Sequence, residues 1–419
     1  MRVSTMRRID AWIGVPLCVL ATWIRIGFGR LFRPATADDA VRHVLIIKLS
    51  ELGALVPLAG AIRSLTELVG RANLYFLTFA ESRELLEILD YVPRENIFVL
   101  RTDSLAHLIR DAAASLRRLR RKRIDCSLDL DFFSRATALL GFASGCRRRV
   151  GCHAWFGEGP YRGNLLTHRV KFNSHVHISH MFQALAKAVT LPAGDLPRIE
   201  LVCEEAGALP DRFRSTTAEL GGIRRLLADV GAGPQDRLIL LNSNISDRET
   251  LPLRKWSDER YVELSRLILA GTPGAFVLLT GGAREADPIA ALEAGVGQAR
   301  CRSLAGRTTL RELFALYSMS DILVTNDSGP AHFATMTGID VVVLFGPETP
   351  SLWRPLGDRV EVLYRGLACS PCFSVYNGRQ SRCRRNACMD IAPEEVHETV
   401  RKLLARRVPK EPSRSAVLG

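Results

Sequence analysis

The sequence predicts an α/β protein of two doubly wound, parallel-sheet domains, and three observations carry that prediction. Short apolar, β-branched runs alternate with helical patterns along most of the chain, the arrangement expected of parallel strands joined by crossover helices. At 419 residues the chain exceeds what one ordinary hydrophobic core serves, so two such units are expected. Each half also carries a polar turn between a strand and a helix, Ser50-Glu51-Leu52-Gly53 in the first and Asn326-Asp327-Ser328-Gly329 in the second.

Taken in order, residues 1–40 form an apolar and basic extension. The basic MRVSTMRR is followed by an apolar stretch, Ala11 to Ile24, broken by Gly14 and Pro16, and then by further arginines. Fourteen residues fall short of the ~20 that a spanning helix requires. A membrane-associating interfacial anchor is therefore expected, with Trp12 and Trp23 at headgroup level and arginines on anionic lipid. A helix packed on the protein and an uncleaved signal-like anchor are the alternatives.

The first domain is expected over 41–205. Its strands are Val44 to Leu49, Leu74 to Thr78, Ile97 to Leu100 and Ser127 to Leu130, with a helix from the Ser50 turn through Leu65. A linker region is placed at 206–235, where the pattern loosens and then runs into a helix ending near Gly231. The second domain, 236–405, opens with LILLN at Leu238, continues through Phe276 to Thr280 and the Gly281-Gly282 loop, and reaches Ile322 to Pro347. There the run Ile322 to Val324 breaks at Asn326-Asp327-Ser328-Gly329, a short helix opens at Pro330, and Val341 to Phe345 forms the next strand. Pro330 suits a first helical turn, Asp327 or Ser328 can cap it, and Gly329 permits close approach of a ligand to the backbone. Such a helix start attracts phosphate. A polar tail, 406–419, ends the chain.

Net charge is +13 and the pI near 9.6, which implies an anionic partner: nucleic acid, an acidic membrane surface or a phosphorylated substrate. The run Arg117 to Arg123 has no interleaved aromatics, so it reads as a solvated helix face and not as a single-strand-binding platform. Six scattered cysteines (Cys18, Cys126, Cys146, Cys152, Cys203, Cys301) fit a reducing cytoplasm better than a disulfide framework.

The element Asp327-Ser328-Gly329-Pro330-Ala331-His332-Phe333-Ala334, followed by LFGPETPSLWRPLG, resembles the ADP-heptose:lipopolysaccharide heptosyltransferase family, glycosyltransferase family nine. VLIIKLSELG, LPLRKW, LLTGGAREAD and SLAGRTTLRELFALYSMSDILVTNDSG extend the similarity over most of residues 41–400. The resemblance implies a GT-B fold: two Rossmann-like domains facing a cleft, the first binding the acceptor and the second the nucleotide sugar. It also implies an inverting transfer that needs no metal, because helix dipole and basic side chains neutralise the leaving diphosphate, and that needs one base for the acceptor hydroxyl.

Carried over by position, Ser328 and Gly329 would supply amides to the diphosphate, and Asp327 would hydrogen-bond the sugar or acceptor region. His332 would face the leaving phosphate or orient the helix. Arg254 stands at the family's phosphate-binding lysine, with Lys255 beside it. Glu285, after Gly282, would bind ribose hydroxyls or mark a helix start. The family's base Asp is replaced by Ala54, so Glu51 is expected to be the base, with Asp129 or Asp131 as alternatives. Arg148, Arg149 and Arg162 are the expected acceptor-binding cations.

Cys369, Cys372, Cys383 and Cys388 suit a structural zinc by ligand type, with two disulfides or four packed thiols as alternatives. The implied partners are an ADP-heptose-like nucleotide diphosphate sugar, a lipid-linked glycan and an anionic membrane surface, and the implied location is peripheral, at the cytoplasmic face of the inner membrane. Two other classes compete. A catalytically silent nucleotide-sugar-binding or scaffold protein would explain Ala54. A nucleic-acid-binding protein would explain the charge but leaves the Asp327 turn unused and has no reading module.

Overall fold

The computed structural model describes residues 3–28, 40–154, 159–196, 199, 207–245 and 252–407. Cys203, Arg30, Arg33, most of 197–206 and the tail beyond Arg407 lie outside them. The chain divides into two compact units. The first is Met1–Pro210 with Ser351–Trp353 and Cys372–Ser381, and the second is the remainder. The return of two short C-terminal segments to the first unit has no counterpart in the sequence pattern.

In the first unit, seven strands form one parallel sheet: β1 Val44–Ile47, β2 Leu74–Phe79, β3 Ile97–Leu100, β4 Cys126–Asp129, β5 Arg148–His153, β6 His168–Lys171 and β7 Gly194–Leu196, in the order 3-2-1-4-5-6-7. The helices are α1 Val3–Trp12, α2 Gly14–Gly27, α3 Ala59–Val69, α4 Arg83–Leu89, α5 Leu105–Arg121, α6 Arg135–Ala143 and α7 Ile178–Ala188. The period of two along a strand puts Leu45, Ile47, Tyr75, Leu77, Phe98 and Leu100 on one face, where Leu119 and Ile124 cover them. On the basic face of α5, Arg118 lies over the Phe98 ring and Arg120 donates to the Ala143 carbonyl.

One helical stretch, Leu52–Val69, is long and apolar enough to cross a membrane among the described residues. Gly53 to Ile62 and Leu65 are buried in the unit, so it serves as a core helix.

The second unit is a six-stranded parallel sheet of β8 Arg237–Asn242, β9 Ala275–Leu279, β10 Cys301–Ser303, β11 Ile322–Asn326, β12 Asp340–Phe345 and β13 Val360–Tyr364, in the order 10-9-8-11-12-13. Its helices are α8 Thr217–Asp229, α9 Asp258–Gly271, α10 Ala286–Val296, α11 Leu310–Met319, α12 Gly329–Ala334 and α14 Pro393–Arg406, whereas α13 Pro350–Trp353 falls almost wholly in the first unit's returning segment. Ile239, Leu241, Val277, Leu279, Val324 and Val342 meet Trp256, Tyr261, Leu264 and Val400 in one core. Helix α8, inside the expected linker region, starts on a complete capping box of Thr216 and Glu219.

The strand order reverses between β8 and β11. Ligands of open α/β sheets bind at the carboxyl ends of strands at such a reversal, and this fixes where the second unit's site lies.

Candidate functional site

At the β8/β11 reversal the second unit has a cavity of about 290 Å³, lined by Asn242, Asn244, Glu285, Thr309 and Ser328 among others. Each comes from a loop that follows a strand or starts a helix. Asn242 ends β8 and donates from Nδ2 to Thr280 Oγ1 (3.1 Å), which holds the β8 and β9 loops together. Asn244 donates to the Thr280 carbonyl (3.2 Å). A Cβ on Gly281 would sit 2.8 Å from Asn244 Nδ2, so the close approach of these loops requires glycine there.

Glu285 accepts the Gly282 N–H (2.7 Å) in a capping box, so the carboxylate expected at a ribose also fixes its own turn. Thr309 caps α11 reciprocally with Glu312.

Around this cavity the expected donor-binding residues divide. Gly282, Glu285 and Ser328 line it. Ser328 is the residue before α12, but its hydroxyl donates to the Asn326 carbonyl (3.2 Å) and does not cap the helix. Gly329 opens α12, with Pro330 in the first turn. His332 is buried one turn into α12 and is not among the residues lining the cavity.

Arg254 forms an ion pair with the buried Asp327 (2.6 Å), and Lys255 pairs with Asp258. The two expected phosphate cations are thus each paired with an acid. The adjoining Trp256 is fastened by its N–H to Asn326 Oδ1 (2.9 Å) and by its indole to the Ile391 carbonyl (3.0 Å). This places the Arg254-Lys255 turn against the end of β11. Sequence reasoning missed Asn242, Asn244, Thr308 and Thr309. Their available signal was the polar Asn-Ser-Asn following LILL and the paired threonines before a capping glutamate.

In the first unit, the turn after β1 carries a charged network. Fully buried Lys48 donates to Asp131 (2.7 Å) and to Glu51 (3.1 Å). Asp131 also accepts from the N–H of Leu49 (2.7 Å) and from the Ser50 hydroxyl (3.0 Å). The second oxygen of Glu51 pairs with Arg379, contributed by the returning segment, whose guanidinium lies over the Trp353 ring.

Glu51 keeps a quarter of its side chain exposed and adopts a left-handed backbone, φ +63°, uncommon for a non-glycine residue. Burial opposes its ionisation, but the charges of Arg379 and Lys48 outweigh that and hold the carboxyl down at about 2. Asp129, the alternative base, is buried, accepts from Thr137 (2.9 Å) and pairs with Arg162. Burial pushes its carboxyl up, and Arg162 opposes the shift.

The three expected acceptor cations are not surface groups. Arg148 is buried and donates to the carbonyls of Val189 and Leu191 (both 3.0 Å). Arg149 is buried on the same strand and donates to the carbonyls of Leu165 (2.6 Å) and Cys146 (2.5 Å). Burial lowers its pKa to about 10, with Arg25 adding to the effect. Arg162 is buried against Asp129 and the carbonyls of Phe132 and Cys152. Guanidinium forks here satisfy carbonyls of loops and strand ends, so all three expected acceptor cations have buried protein partners in the first unit.

The zinc expectation finds no support. Among the described residues no group of three or more His, Cys, Asp or Glu is placed to hold a metal ion. Cys369 and Cys383 are exposed, Cys372 is partly buried and Cys388 is buried, none of them in a disulfide. Cys372 belongs to the returning segment of the first unit and the other three to the second.

A family model for glycosyltransferase family 9 (heptosyltransferase) matches residues 113–380. The chain is 30% identical over 158 residues to lipopolysaccharide heptosyltransferase 2 of Salmonella typhimurium, a match that covers 37% of this chain and 44% of that protein. Among solved structures it resembles E. coli ADP-heptose lps heptosyltransferase II, with a TM-score of 0.63 and 23% identity over 87% of this chain and 98% of the other. It also resembles the glycosyl transferase family 9 protein of Veillonella parvula, with a TM-score of 0.65 and 16% identity over 89% and 99%. At these identities the structural likenesses carry the fold alone.

Proposed function

The chain belongs to glycosyltransferase family 9 (heptosyltransferase) and has its GT-B fold of two Rossmann-like units, and from that premise we propose that it is an inverting, metal-independent glycosyltransferase. It moves a heptose or related sugar from an ADP-heptose-like nucleotide diphosphate donor to a lipopolysaccharide-core or other lipid-linked glycan, at the cytoplasmic face of the inner membrane. The observation that carries this reading is the cavity at the β8/β11 reversal, whose polar lining is dominated by neutral hydrogen-bonding groups: Asn242, Asn244, Thr308, Thr309 and Ser328. Hydroxyls and amides suit a ribose and a diphosphate. Glu285, partly committed to the Gly282 N–H, is the acid available to ribose hydroxyls. Diphosphate entering beside Arg254 would compete with Asp327 for the guanidinium, and charge development on the leaving group would be offset by Arg254 and Lys255.

Glu51 takes the proton of the acceptor hydroxyl in this scheme. A carboxyl held at about 2 is ionised but a weak base, so the acceptor must displace one of its two cations before transfer. The same observation supports a second reading, a nucleotide-sugar-binding relative that does not turn over.

One experiment separates them. Thermal stabilisation by a panel of nucleotides and nucleotide sugars is measured together with transfer by the wild type and by Glu51→Gln. Selective stabilisation by ADP-heptose, with transfer lost in the variant, supports the first reading. Stabilisation without wild-type transfer supports the second, and no response to any nucleotide sugar overturns both. Full transfer by Glu51→Gln removes Glu51 as the base.

A further inference from the structure

Helices α1 and α2 present an unpartnered apolar surface on the first unit. Of the large hydrophobic side chains exposed among the described residues, nine of thirteen fall between Trp12 and Phe28, with Trp12 80% and Trp23 68% exposed. A soluble surface scatters such residues singly, and a contiguous patch marks a contact.

The opposite face of α2 is built into the protein. Gly14, Cys18 and Ala21 are its buried residues. At about 100° per residue they share one side with Arg25, while Trp12 and Trp23 fall on the other. Cys18 and Ala21 pack with Ala138 and Leu165. Gly163, at φ +68°, lies so close that a Cβ would meet Thr22 Oγ1 at 2.6 Å and the Cys18 carbonyl at 2.7 Å.

Both ends are fastened. Asp10 accepts from the N–H groups of Arg135 (3.0 Å) and Ala136 (2.9 Å) at the start of α6, and from the Arg135 guanidinium (3.1 Å). At the far end, Arg25 donates to the Asn164 carbonyl (2.6 Å) and Thr22 accepts the Asn164 N–H (2.9 Å).

We propose that this face docks flat on an anionic lipid bilayer, with the aromatic and aliphatic side chains of α2 sunk into the headgroup boundary. A helix tied to the protein at Asp10, Gly14, Cys18 and Arg25 cannot turn on end to cross a membrane, and the 14 residues of α2 span about 21 Å against a hydrocarbon core of about 30 Å. Charge selects lipid over a second copy of the chain. Besides Arg25, which the protein holds through Asn164, residues 1–33 contain five arginines and one aspartate, and Asp10 is committed to α6. Two such faces brought together would repel, whereas an anionic leaflet attracts each arginine close to its surface. The apolar patch supplies depth and the arginines supply the preference for negative lipid. Neither depends on the transfer chemistry.

Co-sedimentation of the full chain with phosphatidylcholine vesicles, with and without phosphatidylglycerol, tests this. Pelleting with the phosphatidylglycerol vesicles, weakened by salt, is expected, with a blue shift of tryptophan emission on binding. The exposed triple substitution Trp12→Ser, Leu20→Ser and Trp23→Ser is expected to lower partitioning about tenfold or more while leaving the melting temperature unchanged. Undiminished pelleting by that variant overturns the proposal, as does equal binding to neutral vesicles. Absence of vesicle binding together with a wild-type dimer that the triple substitution dissolves overturns it in favour of self-association.

Discussion

Replacing Arg162 with methionine separates a structural arginine from an acceptor-binding one. Arg162 is buried, pairs with Asp129, and donates to the carbonyls of Phe132 and Cys152. Methionine keeps the bulk but strands a buried carboxylate, and breaking a buried pair in this way costs about 3–5 kcal/mol. For a cooperative unit of some 200 residues that corresponds to a fall of roughly 6–20 °C in the melting temperature near neutral pH.

The pH dependence follows from Asp129. Burial already raises its carboxyl above the ordinary value, against the pull of Arg162, and removing Arg162 raises it further. A carboxyl raised in the folded state contributes stability below its unfolded pKa and loses it as pH climbs through the folded value. The deficit of the variant is therefore largest at alkaline pH and shrinks on acidification. Asp129→Asn in the same chain removes the stranded charge and recovers much of the loss, and it flattens the pH profile. Calorimetry of the wild type, both single variants and the double variant from pH 5 to 8 reads all of this. A methionine variant as stable as wild type, with only acceptor affinity reduced, would refute the structural reading.

Three further outcomes are expected. Arg254→Ala leaves Asp327 buried without its cation and should weaken donor binding about tenfold, ~1.4 kcal/mol, with Arg254→Lys in between; calorimetric titration with the donor checks it, and an unchanged affinity sinks the assignment. Because Arg379 and Lys48 hold Glu51 at about 2 against an ordinary 4.5, that pairing stabilises the fold above pH 4.5 and fades as pH falls toward 2; melting curves of wild type and Glu51→Gln should converge across that window. Serine at the exposed Cys369 and Cys383 should change stability by less than about 0.5 kcal/mol, and elemental analysis of the wild type should find no stoichiometric zinc.

Legibility in the sequence tracked how uniformly apolar each element is. Strands β1, β2, β3, β8, β9, β11 and β12 are built from largely apolar runs that announce them. Strand β5 reads RRVGCH and β6 reads HRVK. Their arginines looked like surface cations, although Arg148 and Arg149 lie inside, where both donate to carbonyls of neighbouring segments. A buried arginine satisfied by backbone looks identical, in one dimension, to one waiting for an anionic ligand.

The second unit's cavity was half legible for a related reason. Glycines and the Asp-Ser-Gly turn stand out, whereas Thr309 was hidden because its capping role with Glu312 already accounts for it. Arg379 had no local signal at all. Its partner Glu51 lies on the far side of the sequence, and only the returning segment brings the two together.

The turn after β1 shows why a carboxylate at position 51 is not equivalent to one at 54. Ala54 is buried and its N–H donates to the Glu51 carbonyl (2.8 Å). A carboxylate placed there in this turn would be desolvated, at a cost of several kcal/mol unless paired. Position 51 is instead thrown outward by its left-handed backbone, a conformation that costs about 1–2 kcal/mol for a residue bearing a Cβ. Two cations and the Ala54 hydrogen bond hold it. Strain of this kind persists where surrounding contacts over-determine it, and it gathers at functional sites. Glu51→Gly would relieve the backbone and Glu51→Gln would keep it, so stability and activity should part company between them. Gly is expected to retain or gain stability at low pH with no transfer, and Gln to lose transfer while keeping donor binding. Transfer surviving in the glycine variant would show that the strained carboxylate has no part in the chemistry.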